Sequence, residues 1–125
     1  MRAYSPSMSE PTIRAKRVYD AAEPEDGYRV LIDHIWPRGI SKERAALDEW
    51  AKELAPSAEL RRWFNHIPQR FPEFRERYRA ELQAHGAELD ELRAHAQEKR
   101  VTVVYAARDT EHNNAVVLVE LLQES

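Results

Sequence analysis

The most constraining feature of this chain is the order of events over residues 100–122: an apolar β-branched run, seven polar residues, then an apolar helix. Val101, Thr102, Val103, Val104, Tyr105 and Ala106 combine β-branching with unbroken apolarity. That is the pattern of a strand covered on both faces. Residues 115–122 are apolar around nearly the whole helical circumference, as in a buried helix. Arg108, Asp109, Thr110, Glu111, His112, Asn113 and Asn114 lie between them. A polar loop between two buried elements falls at the carboxyl end of a strand, where open α/β sheets hold their ligands.

Upstream, residues 28–36 read as a second strand, with Val30, Leu31 and Ile32 as its buried run. Asp33, His34 and Trp36 stand at its carboxyl end, and Pro37, Arg38 and Gly39 turn the chain. Residues 12–19 read as a first strand. The stretch 20–27 carries Pro24, Asp26 and Gly27, which is turn chemistry. It is too short for a helical crossover, so the second strand is expected antiparallel to the first if the two pair. A long helical crossover precedes the third strand and predicts a parallel return of right-handed sense.

That crossover predicts four helical pieces. Ser41 caps a helix over residues 42–54, with Ala46, Leu47, Trp50, Ala51 and Leu54 on one face. Ser57 caps a short helix carrying Leu60, Trp63 and Phe64, with Pro56 as the break before it. Pro68 and Pro72 delay a third helix that carries Phe71, Phe74, Tyr78 and Leu82. Gly86 suits its C′ position. Residues 87–99 form the fourth. The expected fold is α/β: a single domain over residues 12–125 with a small, mixed, partly parallel sheet and packed helices. Residues 1–11 are expected to be a disordered tail.

Composition narrows the function. A chain of 125 residues makes one domain with a real core. With no cysteine, neither thiolate catalysis nor a Cys-ligated zinc is available. No apolar run approaches the roughly 20 residues of a membrane span, and no secretory signal is visible at the start. A cytoplasmic setting is expected. The net charge of −3 argues against nucleic acid as the main partner.

Several motifs fall in the order of one family. They are Arg17, Val18, Tyr19, Asp20; then Asp26, Gly27, Tyr28, Arg29, Val30, Leu31; then Trp36, Pro37, Arg38, Gly39. Ala55, Pro56, Ser57 with Leu60, Arg61, Trp63, Phe64 follow, and Tyr105, Ala106, Ala107, Arg108, Asp109 run into His112 and Asn113. Together they closely resemble the YeaO-like branch of domain-of-unknown-function family 488, over nearly the whole chain after the tail. The resemblance implies a small cytoplasmic α/β protein of bacterial type with no assigned activity. Some relatives carry a MarR-type regulator label. Such regulators are winged helix-turn-helix dimers, whereas this chain shows buried strands separated by helices. The family pattern usually has Arg after the Asp of the second strand. Here His34 stands there, so an anion-binding role of that arginine would pass to His34 or Arg38.

Asp33 and His34 face Arg108, Asp109 and His112 if strands 28–36 and 101–106 are neighbours, since adjacent strand ends lie about 5 Å apart. An Asp that holds a His suits acid–base chemistry, which makes Asp33, His34, Asp109 and His112 the catalytic candidates. The structural alternative has both aspartates capping helices or pairing with Arg38 and Arg108. Asp109 or Thr110 suits the N-cap of the last helix. The helix start near Asn113 also offers N–H groups to an anion. Arg38 suits bidentate grip of a phosphate or carboxylate, or else staples the turn through Glu43 or Glu49. Lys42 adds charge, Arg108 lies opposite, Trp36 lines the site or enters the core, and Tyr105 forms the floor. No compact His spacing marks a metal, and no cofactor is expected.

The expected function is an anion- or phosphate-binding pocket for a small, phosphorylated or nucleotide-like ligand, in an enzyme or a binding protein. The rival is nucleic-acid binding or regulation through the arginine-rich helices at 58–80, although Glu59, Glu73, Glu76 and Glu81 interleave with their arginines. A third reading is an interaction module anchored by Trp50 or Trp63.

Overall fold

The computed structural model describes residues 12–124, so the expected tail at residues 1–11 lies outside the described residues. Strand β4 (Val101–Tyr105) is buried at every position and takes the interior of the sheet. On one side it pairs in parallel with β1 (Ile13–Arg17), from Ile13 opposite Val101 to Arg17 opposite Tyr105. On the other it pairs in parallel with β2 (Tyr28–Leu31), from Tyr28 opposite Val101 to Leu31 opposite Val104. A two-residue strand, β3 (Glu49–Trp50), adds to the free edge of β2, again in parallel. The order is β1-β4-β2-β3, and the sheet is parallel throughout.

The two strands at the start of the chain therefore do not pair. Each lies parallel to β4, which separates them. Ten residues, 18–27, carry the chain from the end of β1 to the start of β2. A strand of five residues is about 17 Å long and ten extended residues reach about 33 Å, so no helix is needed to return. A 3-10 turn at Pro24–Asp26 shortens the path. Gly27 ends that turn at φ +66, and a Cβ there would sit 2.2 Å from the Arg100 carbonyl oxygen. Glycine is required on both counts.

The two faces of the sheet have different covers. Ile13, Val30, Ile32, Val101, Val103 and Tyr105 face a large core. That core is filled by α2 (Ala58–Phe64), α3 (Phe71–Leu82), α4 (Gly86–Glu98) and α5 (Asn114–Gln123). Val18, Leu31 and Val104 face a smaller cluster with Ile40, Ala45, Trp36 and Trp50. Burial on both faces is what the unbroken apolar reading of β4 demands.

The crossover departs from expectation at residues 42–54. Ser41 does cap a helix, accepting from the Arg44 N–H at 3.1 Å, but α1 (Lys42–Ala45) stops after one turn. Ala46 takes the left-handed conformation at φ 48. Asp48 then bonds the Arg29 backbone twice: its N–H donates to the Arg29 carbonyl, and its carboxylate accepts from the Arg29 N–H, both at 2.8 Å. The open edge of β2 needs partners for its backbone groups, and that need outweighs helical periodicity. Residues Lys52–Leu54 form a 3-10 turn. Gly86 is the first residue of α4, at φ −56, rather than a left-handed C′ residue. Ser57 caps α2 as expected, accepting from the Leu60 N–H.

Candidate functional site

Because β2 and β4 are parallel neighbours, their carboxyl ends open on the same side. The segments that follow them, 33–38 and 106–109, line one cleft of about 820 Å³ with the start of α5 and parts of α2 and α3. Its polar wall consists of Asp33, His34, Arg38, Arg61, His66, Arg108, Asp109, His112, Asn113 and Asn114. The convergence expected of Asp33, His34, Arg108, Asp109 and His112 is the one found.

Asp33 forms the junction of the two strand ends. One carboxylate oxygen accepts from the Ala106 N–H at 2.8 Å, and the other from the Asn114 side chain at 3.1 Å. Its main-chain carbonyl accepts from the Trp50 indole at 2.7 Å. Burial pushes the carboxyl pKa up, while the Asn114 and Ala106 donors and the Arg61 charge oppose the rise. Asp33 thus clamps β2 to the loop after β4 and to the first residue of α5, with its oxygens already engaged.

Of the four acid–base candidates, Asp109 and His112 pair within the second loop, whereas Asp33 and His34 do not pair with each other. His34 is exposed and points to no carboxylate among the described contacts. Asp109 accepts from the Glu111 N–H at 2.9 Å and the His112 N–H at 3.0 Å, and its other oxygen lies 2.9 Å from His112 Nδ1. The Glu111 N–H, the His112 ring and the His112 N–H hold the Asp109 carboxyl below its usual range. An ionised Asp109 accepts a hydrogen bond from His112 Nδ1–H, which leaves Nε2 as the nitrogen open to a ligand. The His112 ring stands edge-on to Phe71, with centroids 5.3 Å apart.

Neither Asp109 nor Thr110 caps α5. Asn113 does so, accepting from the Val116 N–H at 3.0 Å and donating to the Asp109 carbonyl at 2.8 Å. Its side chain is buried and fully used. Tyr105 is buried in the main core and does not line the cleft. Burial raises its hydroxyl pKa. Lys42 is exposed on α1 and is also outside the lining. Trp36 lines the cleft while its indole donates to the Ile40 carbonyl at 2.7 Å and its ring meets Trp50 edge-on. Arg38 is exposed at the mouth. Its carbonyl accepts from the Tyr19 hydroxyl at 2.9 Å, and no ion pair to Glu43 or Glu49 occurs among the described residues.

Arg61, His66 and Asn114 join the site without having been singled out for it. Arg61 belongs by composition to the basic helical middle, yet it lines the cleft, and its Nε is buried without a hydrogen-bond partner. The available signal was spacing: Arg61 follows the core residue Leu60 and lies three positions before Phe64, which shares its helical face. His66 enters through two consecutive left-handed residues, Asn65 at φ 47 and His66 at φ 55. No group of three or more His, Asp or Glu suited to a metal ion occurs among the described residues. No helix among them is long and apolar enough to cross a membrane.

Four other arginines of the helical middle are engaged, while Arg62 is exposed on α2. Arg75 meets Glu120 at 3.0 Å, Arg79 meets Glu124 at 2.5 Å, and Arg77 pairs with Glu73. Arg70 donates to the Trp63 carbonyl.

Comparison with known proteins agrees with the motif order. The uncharacterized protein YeaO of Escherichia coli is 48% identical over 111 residues, covering 89% of this chain and 96% of YeaO. The uncharacterized proteins Mb3100c of Mycobacterium bovis and Rv3073c of Mycobacterium tuberculosis are each 46% identical over 113 residues, covering 90% of this chain and 95% of theirs. No solved structure matches. The family model described as "Inactive DUF488-N3 subclade" matches residues 12–125. The chain therefore belongs to the DUF488 family, in its YeaO-like branch.

Proposed function

We propose that this protein binds a small carboxylated or phosphorylated molecule in the cleft at the carboxyl ends of β2 and β4, and holds it without turnover. The observation that carries the reading is Arg61. Its buried Nε lacks any partner, and an unsatisfied buried donor costs about 1–3 kcal/mol. Arg14 Nε shares that condition, but the Arg14 guanidinium is engaged with Asp26. Arg61 instead lines an open cleft beside Arg38 and Arg108. A cleft lined by three arginines attracts anions, and carboxylates and phosphates share the chemistry that a guanidinium recognises. The family description, an inactive subclade, favours binding over catalysis. So does Asp33, whose carboxylate oxygens are both engaged. A cytoplasmic setting belongs to the same reading.

A thermal-shift panel of inorganic phosphate, sugar phosphates and small carboxylates tests it. A ligand at 100 times its Kd stabilises by about 2.7 kcal/mol, which moves the midpoint by several degrees. The shift should vanish in Arg61→Ala and shrink in Arg38→Ala, with both variants folded. A shift that survives Arg61→Ala places the ligand elsewhere and ends the reading. Proton NMR of the bound ligand should show it unchanged after hours. Conversion would remove the claim of no turnover and bring the Asp109–His112 pair forward as acid–base groups.

A further inference from the structure

The cleft is larger and more apolar than a bare anion requires. A volume of about 820 Å³ falls in the range of sites that enclose drug-sized molecules, about 300–1,000 Å³. The core residues Phe64 and Phe74, at 6% and 2% exposure, stand in its wall together with Pro56. Ile35, Trp36 and Pro37 also line it and form an apolar lip, exposed at Ile35, half-buried at Trp36 and buried at Pro37, that ends in the exposed Arg38. Ile35 is 67% exposed, and Tyr19 is the one other large apolar side chain with notable exposure among the described residues. The lip is held in place. The Tyr19 hydroxyl donates to the Arg38 carbonyl at 2.9 Å, and the Trp36 indole donates to the Ile40 carbonyl at 2.7 Å. An aliphatic side chain fixed in solvent beside a cationic cleft has no packing role in the fold, whereas a flat ring laid across it would bury both surfaces.

We infer that the ligand is an anion borne on an aromatic ring, with the anionic group toward Arg61 and Arg108 and the ring against the Ile35–Pro37 lip. This rests on the anion-binding reading above and names the class of molecule that fits the same site. Aromatic carboxylates and aryl phosphates share the required chemistry.

Isothermal titration with inorganic phosphate, phenyl phosphate, benzoate, acetate and benzyl alcohol separates the possibilities. Phenyl phosphate should bind about tenfold or more tightly than phosphate, and benzoate likewise over acetate, because ring burial adds apolar contact. Whichever ring anion binds the tighter tells carboxylate from phosphate. Ile35→Ser, at an exposed position, should erase most of that advantage and leave inorganic phosphate unchanged. Equal affinities for phosphate and phenyl phosphate, or an equal loss of both in Ile35→Ser, overturn the ring and leave the anion reading standing. Benzyl alcohol binding as tightly as phenyl phosphate overturns the anion reading itself. Absence of binding by all five overturns both.

Discussion

Asp26 shows how a carboxylate can be deeply buried in this fold and still ionised. It is 0% exposed and is met by Arg14, by Lys16 at 3.1 Å and by Arg29 at 2.6 Å. Burial alone would raise its pKa, but the Glu23 N–H, Lys16 and Arg14 outweigh it and hold the carboxyl below the model-peptide value of 3.8. Arg29 is itself buried, and its guanidinium also donates to the Ala45 carbonyl. Replacing Asp26 by Asn strands the Arg29 charge, at a cost of about 3 kcal/mol or more. The expected midpoint falls by about 10 °C in a calorimetric scan. The sign with pH follows from the lowered pKa. The stabilisation is complete well above 3.8 and is lost as pH falls through the folded value. Acid unfolding of Asp26→Asn should therefore be less steep than wild type below pH 4. A variant of unchanged midpoint would show that the three cations are solvated well enough without their anion. Asp33 behaves oppositely. Its raised pKa makes ionisation unfavourable to the fold, so its contribution weakens as pH rises from 3.8 toward the folded value.

At the scale of elements, β2, β4 and α5 were legible because burial leaves predominantly apolar runs, broken within only by Arg29, Thr102 and Glu120. The long helical crossover between β2 and β4 implied a parallel return but not adjacency; the pairing of β2 with β4, and with it the clustering of Asp33 with Arg108, Asp109 and His112, is read only from the structure. The segment 42–54 was not legible, since its apolar spacing suits a helix and the Asp48 contacts that end it are to Arg29, far away in sequence. Arg61 was hidden for a related reason. Its spacing to Phe64 was the one signal, and among many interleaved charges that spacing does not by itself separate an arginine in the cleft from a solvated one. The turn after α2 carries a second consequence. His66 stands at φ 55, a conformation that costs a residue with a Cβ roughly 1–2 kcal/mol, and it lines the cleft. His66→Gly should relieve that strain and stabilise the fold by about 0.5–1 kcal/mol after the added entropy of the unfolded chain. The same variant should bind inorganic phosphate more weakly, because one imidazole leaves the cleft. Lower stability would mean that the ring contact with Phe64, at 6.3 Å between centroids, holds the turn in place.

At the scale of the molecule, charge separates the cleft from the rest of the helical surface. The net charge is −3, and the arginines of α3 are spent on acids: Arg75 on Glu120, Arg79 on Glu124, Arg77 on Glu73. Two of these pairs run from α3 to the end of the chain and fasten α5 to its neighbour. Exposed pairs of this kind stabilise by less than about 1 kcal/mol each. Their larger effect is to remove the unbroken cationic stripe that a phosphate backbone needs. Arg61 and Arg38 escape this neutralisation, but both line a concave cleft that a duplex cannot enter, and Arg62 remains as a single exposed cation on α2. Duplex DNA titrated by fluorescence anisotropy in about 150 mM salt should thus show no binding tighter than about 10⁻⁴ M, the weak end of the non-specific range. Lowering the salt should raise the affinity with a shallow slope, matching one or two neutralised phosphates. A slope near six would require a cationic face that the pairs with Glu73, Glu120 and Glu124 do not leave. In that event Glu120→Gln, which frees Arg75, should steepen the slope further, and a slope that does not respond would move the contact away from α3 to the arginines at the cleft mouth.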